Sequence, residues 1–380
     1  MRGQPLSNVT TRYAARTAIG ILAASILVGC AACGWNRTEV VYVPVERDDW
    51  VVSTPEAEGL DPALVDRLYS RASRAESTLG VLVIRNGALI AEAYFNGCTV
   101  DTATLIQSAT KSVASALTGI AISQGYLEGV NQRAMEFFPE LADQITDSRK
   151  YLITIRQMLQ MRAGFLWEEA SPELFDLLYS GFHPRNFADV PLARAPATAM
   201  QYSNLTSYLL GVIVARATGT DLRTYAQENL FDPIGVEIYD WNVSWEGYYP
   251  ANGDLWLTAR DMARFGQLYL DGGVYDGNQV VPAEWVQASL VPYSRDAWPY
   301  RIGRNFADIS YGYQWWSARA GDQVFWFAWG HGGQVIALVP EENMVVVVKA
   351  DSLWGEHGDR AWRLERENLN LVGDFIRSLQ

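Results

Sequence analysis

The 380-residue sequence is poor in the residues on which many enzymes and nucleic-acid-binding proteins depend: it has three histidines, three cysteines and three lysines, beside twenty-seven arginines. Three scattered histidines leave little material for a Ser-His-Asp hydrolase or a metal site, and neither G-x-S-x-G nor H-E-x-x-H occurs. A net charge of −13 disfavours nucleic acid as a partner, because phosphates bind basic surfaces. These shortages count against three common functional classes.

The first thirty residues resemble a bacterial export signal. Three arginines precede an apolar run over residues 18–29, which is shorter than the roughly twenty residues that a transmembrane helix needs. The run ends in Leu27-Val28-Gly29-Cys30, which is similar to a lipobox, where the cysteine is acylated after cleavage. A plain secretory signal, or a short anchor with an incidental cysteine, is the alternative.

We therefore expect a signal peptide over residues 1–30, a linker over residues 31–52 and one folded domain over residues 53–380. This division predicts an exported protein of the bacterial cell envelope or periplasm, which contacts the membrane only through a lipid anchor at Cys30. Because Cys30 and Cys33 precede the folded domain, Cys98 has no disulfide partner there and is interpreted as a small buried hydrophobe.

Both ends of the domain carry strand patterns. Asp61-Pro62 predicts the start of a helix, and Asn86-Gly87 predicts a hairpin between strands at Gly80–Arg85 and Ala88–Phe95. Towards the C-terminus, strand patterns recur and a helix from about Gly358 to Leu379 closes the chain. The predicted C-terminal strands are Tyr311–Ser317, Val324–Trp329, Val335–Val339 and Met344–Lys349.

The middle of the chain, from about residue 126 to 300, is predicted to be mainly helical. Its helical patterns are Thr154–Met161, Leu205–Ala217, Asp221–Leu230, Thr258–Leu270 and Pro282–Leu290. We therefore expect an α+β fold: an antiparallel sheet built from both chain ends and packed by the first and last helices, with a mainly helical lobe inserted.

The segment Ser108-Ala109-Thr110-Lys111 places a hydroxyl and one of the three lysines on the same face of a predicted helix. A serine needs a neighbouring group to take its proton, and an amine that must lose a proton cannot be replaced by a guanidinium. Ser108 is predicted at the helix N-terminus, which favours an anion. A surface Ser-x-x-Lys without function is the alternative.

A second segment, Tyr202-Ser203-Asn204, precedes an apolar helical pattern. A phenol near an ammonium can relay a proton, and an amide can orient both a lysine and a substrate carbonyl. The same tripeptide is also a common helix start with a serine or asparagine cap.

The third segment is His331-Gly332-Gly333-Gln334, which leads into a predicted strand. Two glycines at a strand start let a substrate approach the backbone closely, so that amide N–H groups can bind an oxyanion. A tight turn between two strands would explain the same residues.

Together these segments resemble the serine β-lactamase and penicillin-binding-protein superfamily, in its class C-like branch of esterases and aminohexanoate-oligomer hydrolases. The resemblance spans about residues 55 to 375. It implies that Ser108 is the acylated nucleophile, that Lys111 and Tyr202 transfer the proton, and that Asn204 contacts the substrate. It further implies an oxyanion hole formed by the backbone N–H groups of Ser108 and Gln334, and no metal or organic cofactor.

One departure bears on the substrate. The superfamily usually has Lys-Thr-Gly where this chain has His331-Gly332-Gly333, which lacks the hydroxyl and whose histidine is expected to be mostly neutral near neutral pH. We therefore expect a serine hydrolase for a small carboxylester or amide rather than a β-lactam. An aminohexanoate-type amide hydrolase, a D-amino-acid peptidase or β-lactamase, and a non-catalytic envelope binding protein are the alternatives.

Several aromatic residues admit two placements. Trp329 next to the glycine turn predicts a wall of the acyl pocket, whereas Trp241, Trp245, Tyr248 and Tyr249 could line its entrance instead. Glu168 and Glu169 are interpreted as solvated loop charges.

Overall fold

The computed structural model describes residues 40–166, 171, 174, 176–177 and 181–379. The predicted signal peptide, Cys30, Cys33, Glu168 and Glu169 lie outside the described residues. The described helices are α1 (Pro62–Ala72), α2 (Thr110–Ser123), α3 (Ile155–Leu159), α4 (Asn186–Asp189), α5 (Asn204–Thr218), α6 (Leu222–Ala226), α7 (Ala259–Leu270), α8 (Ala283–Leu290) and α9 (Asp359–Arg377).

Twelve strands are assigned in the described part of the chain. They are β1 (Thr78–Arg85), β2 (Ala88–Tyr94), β3 (Thr104–Leu105), β4 (Asp240–Trp241), β5 (Leu255–Leu257), β6 (Val274–Tyr275), β7 (Asn278–Gln279), β8 (Ala307–Tyr311), β9 (Trp316–Ala320), β10 (Gln323–Gly330), β11 (Gln334–Val339) and β12 (Met344–Ala350).

The main sheet joins the two chain ends, as predicted. It has seven antiparallel strands in the order β2-β1-β12-β11-β10-β9-β8. The N-terminal hairpin turns at Asn86 and Gly87, both of which have positive φ as such two-residue turns require. Strand β1 then pairs with β12, with Val83 opposite Val346. The last strand of the chain therefore lies inside the sheet.

Both faces of this sheet are covered, because its strands alternate between two hydrophobic clusters. Val345 and Val347 pack on the side of α2 and α7, whereas Val346 and Val348 pack on the side of α1 and α9. A strand that is covered on both faces has a continuous apolar sequence, as β12 does. The first and last helices therefore pack on the same face.

The helical lobe contains more short elements than predicted. Strands β3, β5 and β4 form a small sheet, and β6 and β7 form a hairpin. The pattern at Asp221–Leu230 begins as α6 and continues as a π-helical turn over Gln227–Phe231. The apolar periodicity of a sequence does not distinguish an α-helix from a π-helical turn, because the spacing of side chains is nearly the same in both.

The single strand predicted over Tyr311–Ser317 is wrong. Strand β8 ends at Tyr311 and β9 begins at Trp316, with a turn between them in which Gln314 has positive φ. The N–H groups of Tyr313 and Gln314 donate to backbone carbonyls of Ser289 and Leu159. Tertiary hydrogen bonds thus interrupt an apolar run that looks like one strand.

The N-terminal segment from residue 40 also differs from the expected linker. Trp50 is buried, Val52 bridges to Leu89, and the N–H of Glu92 donates to the carbonyl of Tyr42. The Arg260 guanidinium donates to the carbonyl of Val45 as well. Residues 40–52 therefore pack on the folded domain, so ordered structure begins before residue 53.

Two smaller observations concern the surface. Cys98, expected to be buried, is half-buried and forms no disulfide within the described residues. Among these residues, no helix combines the length and the apolar character needed to cross a membrane.

Candidate active site

Ser108 lies in a 3-10 turn, Gln107–Ala109, that leads directly into α2. Gln107 has positive φ, which is unusual for a residue with a side chain and marks a constrained turn. The end of β10 packs against this turn at Gly330, where a Cβ would clash with the carbonyl of Ile106. The structure therefore holds the serine at the start of a buried helix and close to the edge of the main sheet.

Lys111 is one turn further along and only 2% exposed. Its ammonium nitrogen Nζ lies 2.7 Å from Ser108 Oγ, 2.8 Å from Asn204 Oδ1 and 2.8 Å from the carbonyl oxygen of Asn252. An ammonium has three hydrogens to donate, and these three oxygens accept them. The lysine therefore has the partners of a charged amine, and it orients the serine hydroxyl.

Tyr202 and Asn204 lie at the start of α5 and converge on the same amine. Ser203 caps the helix by accepting from the N–H of Thr206, which leaves the Asn204 amide to bind Lys111. The ring of Tyr202 has its centroid 5.0 Å from Lys111 Nζ and stacks on Trp316. The serine caps the helix, as one interpretation predicted, and the asparagine contacts the lysine. The proton relay by Tyr202 and the contact of Asn204 with a substrate stay predictions.

The turn that contains His331 is held by helix α9. The carboxylate of Glu365 accepts from Trp329 Nε1 at 2.8 Å, from His331 Nδ1 at 2.8 Å and from the N–H of Gly332 at 3.0 Å. One turn later, Asn368 donates to the carbonyl of Gly332 at 2.8 Å. Two side chains of one helix thus bind both backbone polar groups of Gly332.

This network also places an acceptor at each ring nitrogen of His331. Nδ1 faces the Glu365 carboxylate, and Nε2 lies 3.0 Å from the carbonyl oxygen of Glu356. An imidazolium can donate to both at once, and the buried Glu365 carboxylate would balance its charge. The protonation state of His331 stays a prediction.

The two glycines of this turn meet protein rather than open space. Both have positive φ, and a Cβ would clash with the carbonyl of Asp351 at Gly332 and with Asn368 at Gly333. The Gln334 side chain is buried and pairs with the backbone of Ala350, so only its backbone remains for the predicted oxyanion hole. Packing against the segment after β12 and against α9 explains the glycines.

These elements surround a pocket of about 360 Å³. Four of the predicted site residues line it, namely Ser108, Tyr202, Asn204 and His331, whereas Lys111 lies behind them and Gly332, Gly333 and Gln334 do not line it. Trp329 is part of the wall of this pocket, and its predicted contact with the acyl group stays a prediction. Trp241 is buried and donates to the carbonyls of Pro250 and Gly253, so it supports the neighbouring loop instead.

Two titratable groups of the pocket have shifted pKa values. Burial raises the pKa of Asp254, opposed by a hydrogen bond from Asn242 and by the charge of Lys111. Burial and the nearby His331 lower the pKa of His357, whose ring stacks on that of His331. No three His, Cys, Asp or Glu side chains in the described ranges are grouped to hold a metal ion.

Sequence reasoning missed Glu365 and Asn252 as residues of the site. Glu365 is 3% exposed and lies among the buried positions of α9, including Leu364, Asn368 and Leu369. A charged residue on the apolar face of a helix signals a buried partner, and that signal was available. The role of Asn252 depends on a backbone carbonyl, which no side-chain pattern shows.

Comparisons with known proteins agree with this arrangement. The sequence matches the Beta-lactamase family over residues 65–369. It is 30% identical over 321 residues to a 6-aminohexanoate-dimer hydrolase of Paenarthrobacter ureafaciens, which covers 79% of this chain and 79% of that protein.

Solved structures share the fold. A putative 6-aminohexanoate-dimer hydrolase from Bacillus anthracis superimposes with a TM-score of 0.64 and 22% identity, covering 90% of this chain and 89% of that one. A D-amino acid amidase from Ochrobactrum anthropi SV3 gives a TM-score of 0.61 and 16% identity, covering 82% of this chain and 99% of that one.

The sheet shared by both chain ends and the inserted helical lobe give the chain the α+β fold of these solved structures. The sequence matches make it a hydrolase of the serine β-lactamase and penicillin-binding-protein superfamily. Within that superfamily the chain belongs to the Beta-lactamase family, since the match takes in most of the folded domain and every residue of the three motifs.

Proposed function

We propose that this serine hydrolase cleaves a carboxylester or small amide through an acyl-enzyme on Ser108. The observation that carries the proposal is the 2.7 Å contact between Ser108 Oγ and Lys111 Nζ at the wall of a pocket shared with Tyr202 and Asn204. A hydroxyl that is oriented by a buried ammonium beside a phenol has the parts of an activated nucleophile.

In the proposed first step, Ser108 Oγ attacks the substrate carbonyl carbon and its proton passes to the ionised phenol oxygen of Tyr202. Lys111 stays charged, because its three acceptors fit an ammonium, and it stabilises that phenolate. Tyr202 then gives the proton to the leaving oxygen or nitrogen as its bond to carbon breaks. Water releases the acyl group as an acid and restores Ser108.

The polar turn around His331 supports an ester or amide over a β-lactam. The ring of His331 is paired with Glu365, so it offers less positive charge to a substrate carboxylate than an unpaired lysine would. The relative named a 6-aminohexanoate-dimer hydrolase makes hydrolysis of an aminohexanoate-type amide the second candidate. Because the fold is also similar to that of a D-amino acid amidase, D-amino-acid amides are included among the substrates to be tested.

The test combines labelling and turnover on one preparation. A fluorophosphonate probe should label the protein at Ser108, and Ser108→Ala should abolish both labelling and hydrolysis. The substrate panel contains short p-nitrophenyl esters, the 6-aminohexanoate dimer, a D-Ala-D-Ala peptide and nitrocefin, with esters expected to turn over fastest. Folded protein that is neither labelled nor active on any of them would favour the non-catalytic envelope binding protein.

We also propose that the chain is exported and lipid-anchored at Cys30, in the segment outside the described residues. The support is the arginine-led apolar run that ends in Leu27-Val28-Gly29-Cys30. Expression in a bacterium with a radiolabelled fatty acid should label the wild-type protein and leave Cys30→Ser unlabelled. Equal labelling of both would contradict the anchor.

A further inference from the structure

The pocket has an unusually aromatic wall. Tryptophans from several separate segments of the chain line it together with Tyr202; they are Trp298, Trp316, Trp329, Trp354 and Trp362. We propose that this wall binds the leaving group of the substrate, and that the enzyme prefers esters with an aromatic or arylalkyl leaving group that carries no carboxylate. The inference rests on the proposed function and names its substrate class.

The rings form one continuous surface. Tyr202 stacks on Trp316 with centroids 5.6 Å apart, and Trp298 meets both of them edge-on at 6.0 and 5.8 Å. Trp329 lies 5.7 Å from Trp298 and 6.3 Å from Trp362. The surface therefore runs from Tyr202, beside Lys111, to the first turns of helix α9. Flat aromatic groups bind such walls by stacked and edge-on contacts.

The mouth of the pocket continues this surface. Trp354 lies between β12 and α9, is 55% exposed and still lines the pocket. An apolar ligand that covers a half-exposed apolar side chain buries apolar surface of both, and this burial favours binding. Aromatic side chains thus line the pocket from Tyr202 to its mouth at Trp354.

Charge argues for a leaving group without a carboxylate. No arginine lines the pocket among the described residues, and the Lys111 ammonium already has three acceptors behind the wall. Two carboxyl groups, Asp254 and Glu365, do line it. A substrate carboxylate placed there would lie beside two carboxyl groups, while the Lys111 ammonium and the His331 ring already have acceptors.

The position of Tyr202 decides which half of the substrate meets the wall. In the proposed reaction, Tyr202 gives its proton to the leaving atom, so that atom must lie next to the phenol oxygen. The aromatic surface begins at Tyr202, whereas Asn204, Asn252 and Asp254 form a polar side of the same pocket. Asn252 Oδ1 is buried without a hydrogen-bond partner among the described residues, which leaves an acceptor for a polar acyl group.

The experiment compares kcat/KM for esters that differ on one side only. Benzyl acetate and ethyl acetate have leaving alcohols of similar acidity, so their ratio reports binding of the ring. Burial of a phenyl-sized group predicts a ratio of about 10 to 100 in favour of benzyl acetate. Benzyl acetate should also have a higher kcat/KM than 4-carboxybenzyl acetate. Ethyl phenylacetate should exceed ethyl acetate by a smaller factor than benzyl acetate does.

Variants locate the effect in the wall. Trp298→Leu and, at the exposed mouth, Trp354→Leu should both lower the ratio of benzyl to ethyl acetate. Trp245→Leu is the matched control, because Trp245 is 81% exposed and does not line the pocket. That control should keep the wild-type ratio. Trp354→Leu keeps the test valid should Trp298→Leu fail to fold.

The outcomes of these experiments distinguish the leaving-group preference from the proposed acyl-enzyme function. If Ser108 is labelled by fluorophosphonate and both acetates turn over at equal kcat/KM, the leaving-group preference is overturned and the acyl-enzyme function stands. Preference for the carboxybenzyl ester, or for an aromatic acyl group, also overturns it. Absence of labelling and of turnover overturns both proposals together.

Discussion

Lys111 and Lys349 are both almost completely buried, yet their ammonium groups have different neighbours. Lys111 donates to Ser108, Asn204 and the carbonyl of Asn252 at the edge of a pocket. Lys349 lies in β12 and donates to the carbonyl of Leu257, and burial lowers its pKa to about 8. Burial alone therefore does not distinguish the two lysines, whereas contact with a serine hydroxyl beside a pocket does.

The third lysine supports this comparison. Lys150 is also buried, donates to the carbonyl of Ala188 and has a pKa lowered by burial. All three lysines of the chain thus have a backbone carbonyl as a partner, which suits a compact ammonium better than a planar guanidinium. All three of the scarce lysines are buried, and the Ser-x-x-Lys spacing singles out the one that contacts a serine.

The largest expected effect separates the two lysines by activity. Lys111→Arg should lower kcat for the best ester by about 10²- to 10⁴-fold, because a guanidinium cannot take the place of the amine between three acceptors beside Ser108. Lys349→Met should keep most of the activity. Steady-state kinetics on both variants, with circular dichroism to confirm folding, make the comparison. An active Lys111→Arg enzyme would show that only the charge is needed.

The next prediction concerns the effect of Lys349 on the stability of the protein. Between pH 8 and 10.5 the unfolded chain holds a proton on Lys349 that the folded chain has lost, so the wild-type free energy of unfolding should rise with pH there. The full shift is worth about 3 kcal/mol. Lys349→Met should lack this rise, as urea denaturation at several pH values will show. Parallel pH curves for both proteins would contradict it.

A smaller effect concerns the support of the pocket by α9. Glu365→Gln should destabilise the protein by about 1 to 3 kcal/mol, because an amide oxygen replaces a carboxylate that accepts three hydrogen bonds. Nitrogen NMR of His331 should show an imidazolium in the wild-type protein and a neutral ring in the variant. Glu367→Gln, on the same helix but exposed and paired with Arg363, is the control and should change neither property.

The smallest expected effect tests a carboxyl group beside each lysine. Burial raises the pKa of Asp254 near Lys111 and of Asp261 near Lys349. A raised carboxyl pKa costs stability above that pKa, so Asp254→Asn should stabilise the protein by less than about 1 kcal/mol at neutral pH. The difference should disappear in acid, where Asp254 is protonated. A destabilised variant at neutral pH would mean that the Asp254 carboxylate is needed by Lys111.

Local signals predicted much of the fold. The Asn86-Gly87 hairpin, the Pro62 helix start and the apolar run of β12 each depend on neighbouring residues, so sequence suffices for them. The break between Tyr311 and Trp316 depends on hydrogen bonds to Ser289 and Leu159, which are distant in the chain. The packing of residues 40–52 depends on Arg260 in the same way.

For the site, sequence alone determined the residue types and their order: a serine and a lysine one helical turn apart, a Tyr-Ser-Asn helix start and a glycine turn before a strand. The catalytic roles predicted for these residues came from their resemblance to a known superfamily. Only the tertiary structure decided what surrounds them: the Asn252 carbonyl on Lys111, the Glu365 carboxylate that pairs with His331, and the tryptophan wall. Those contacts join residues up to 141 positions apart, and spacing along a chain does not specify which buried groups meet across it.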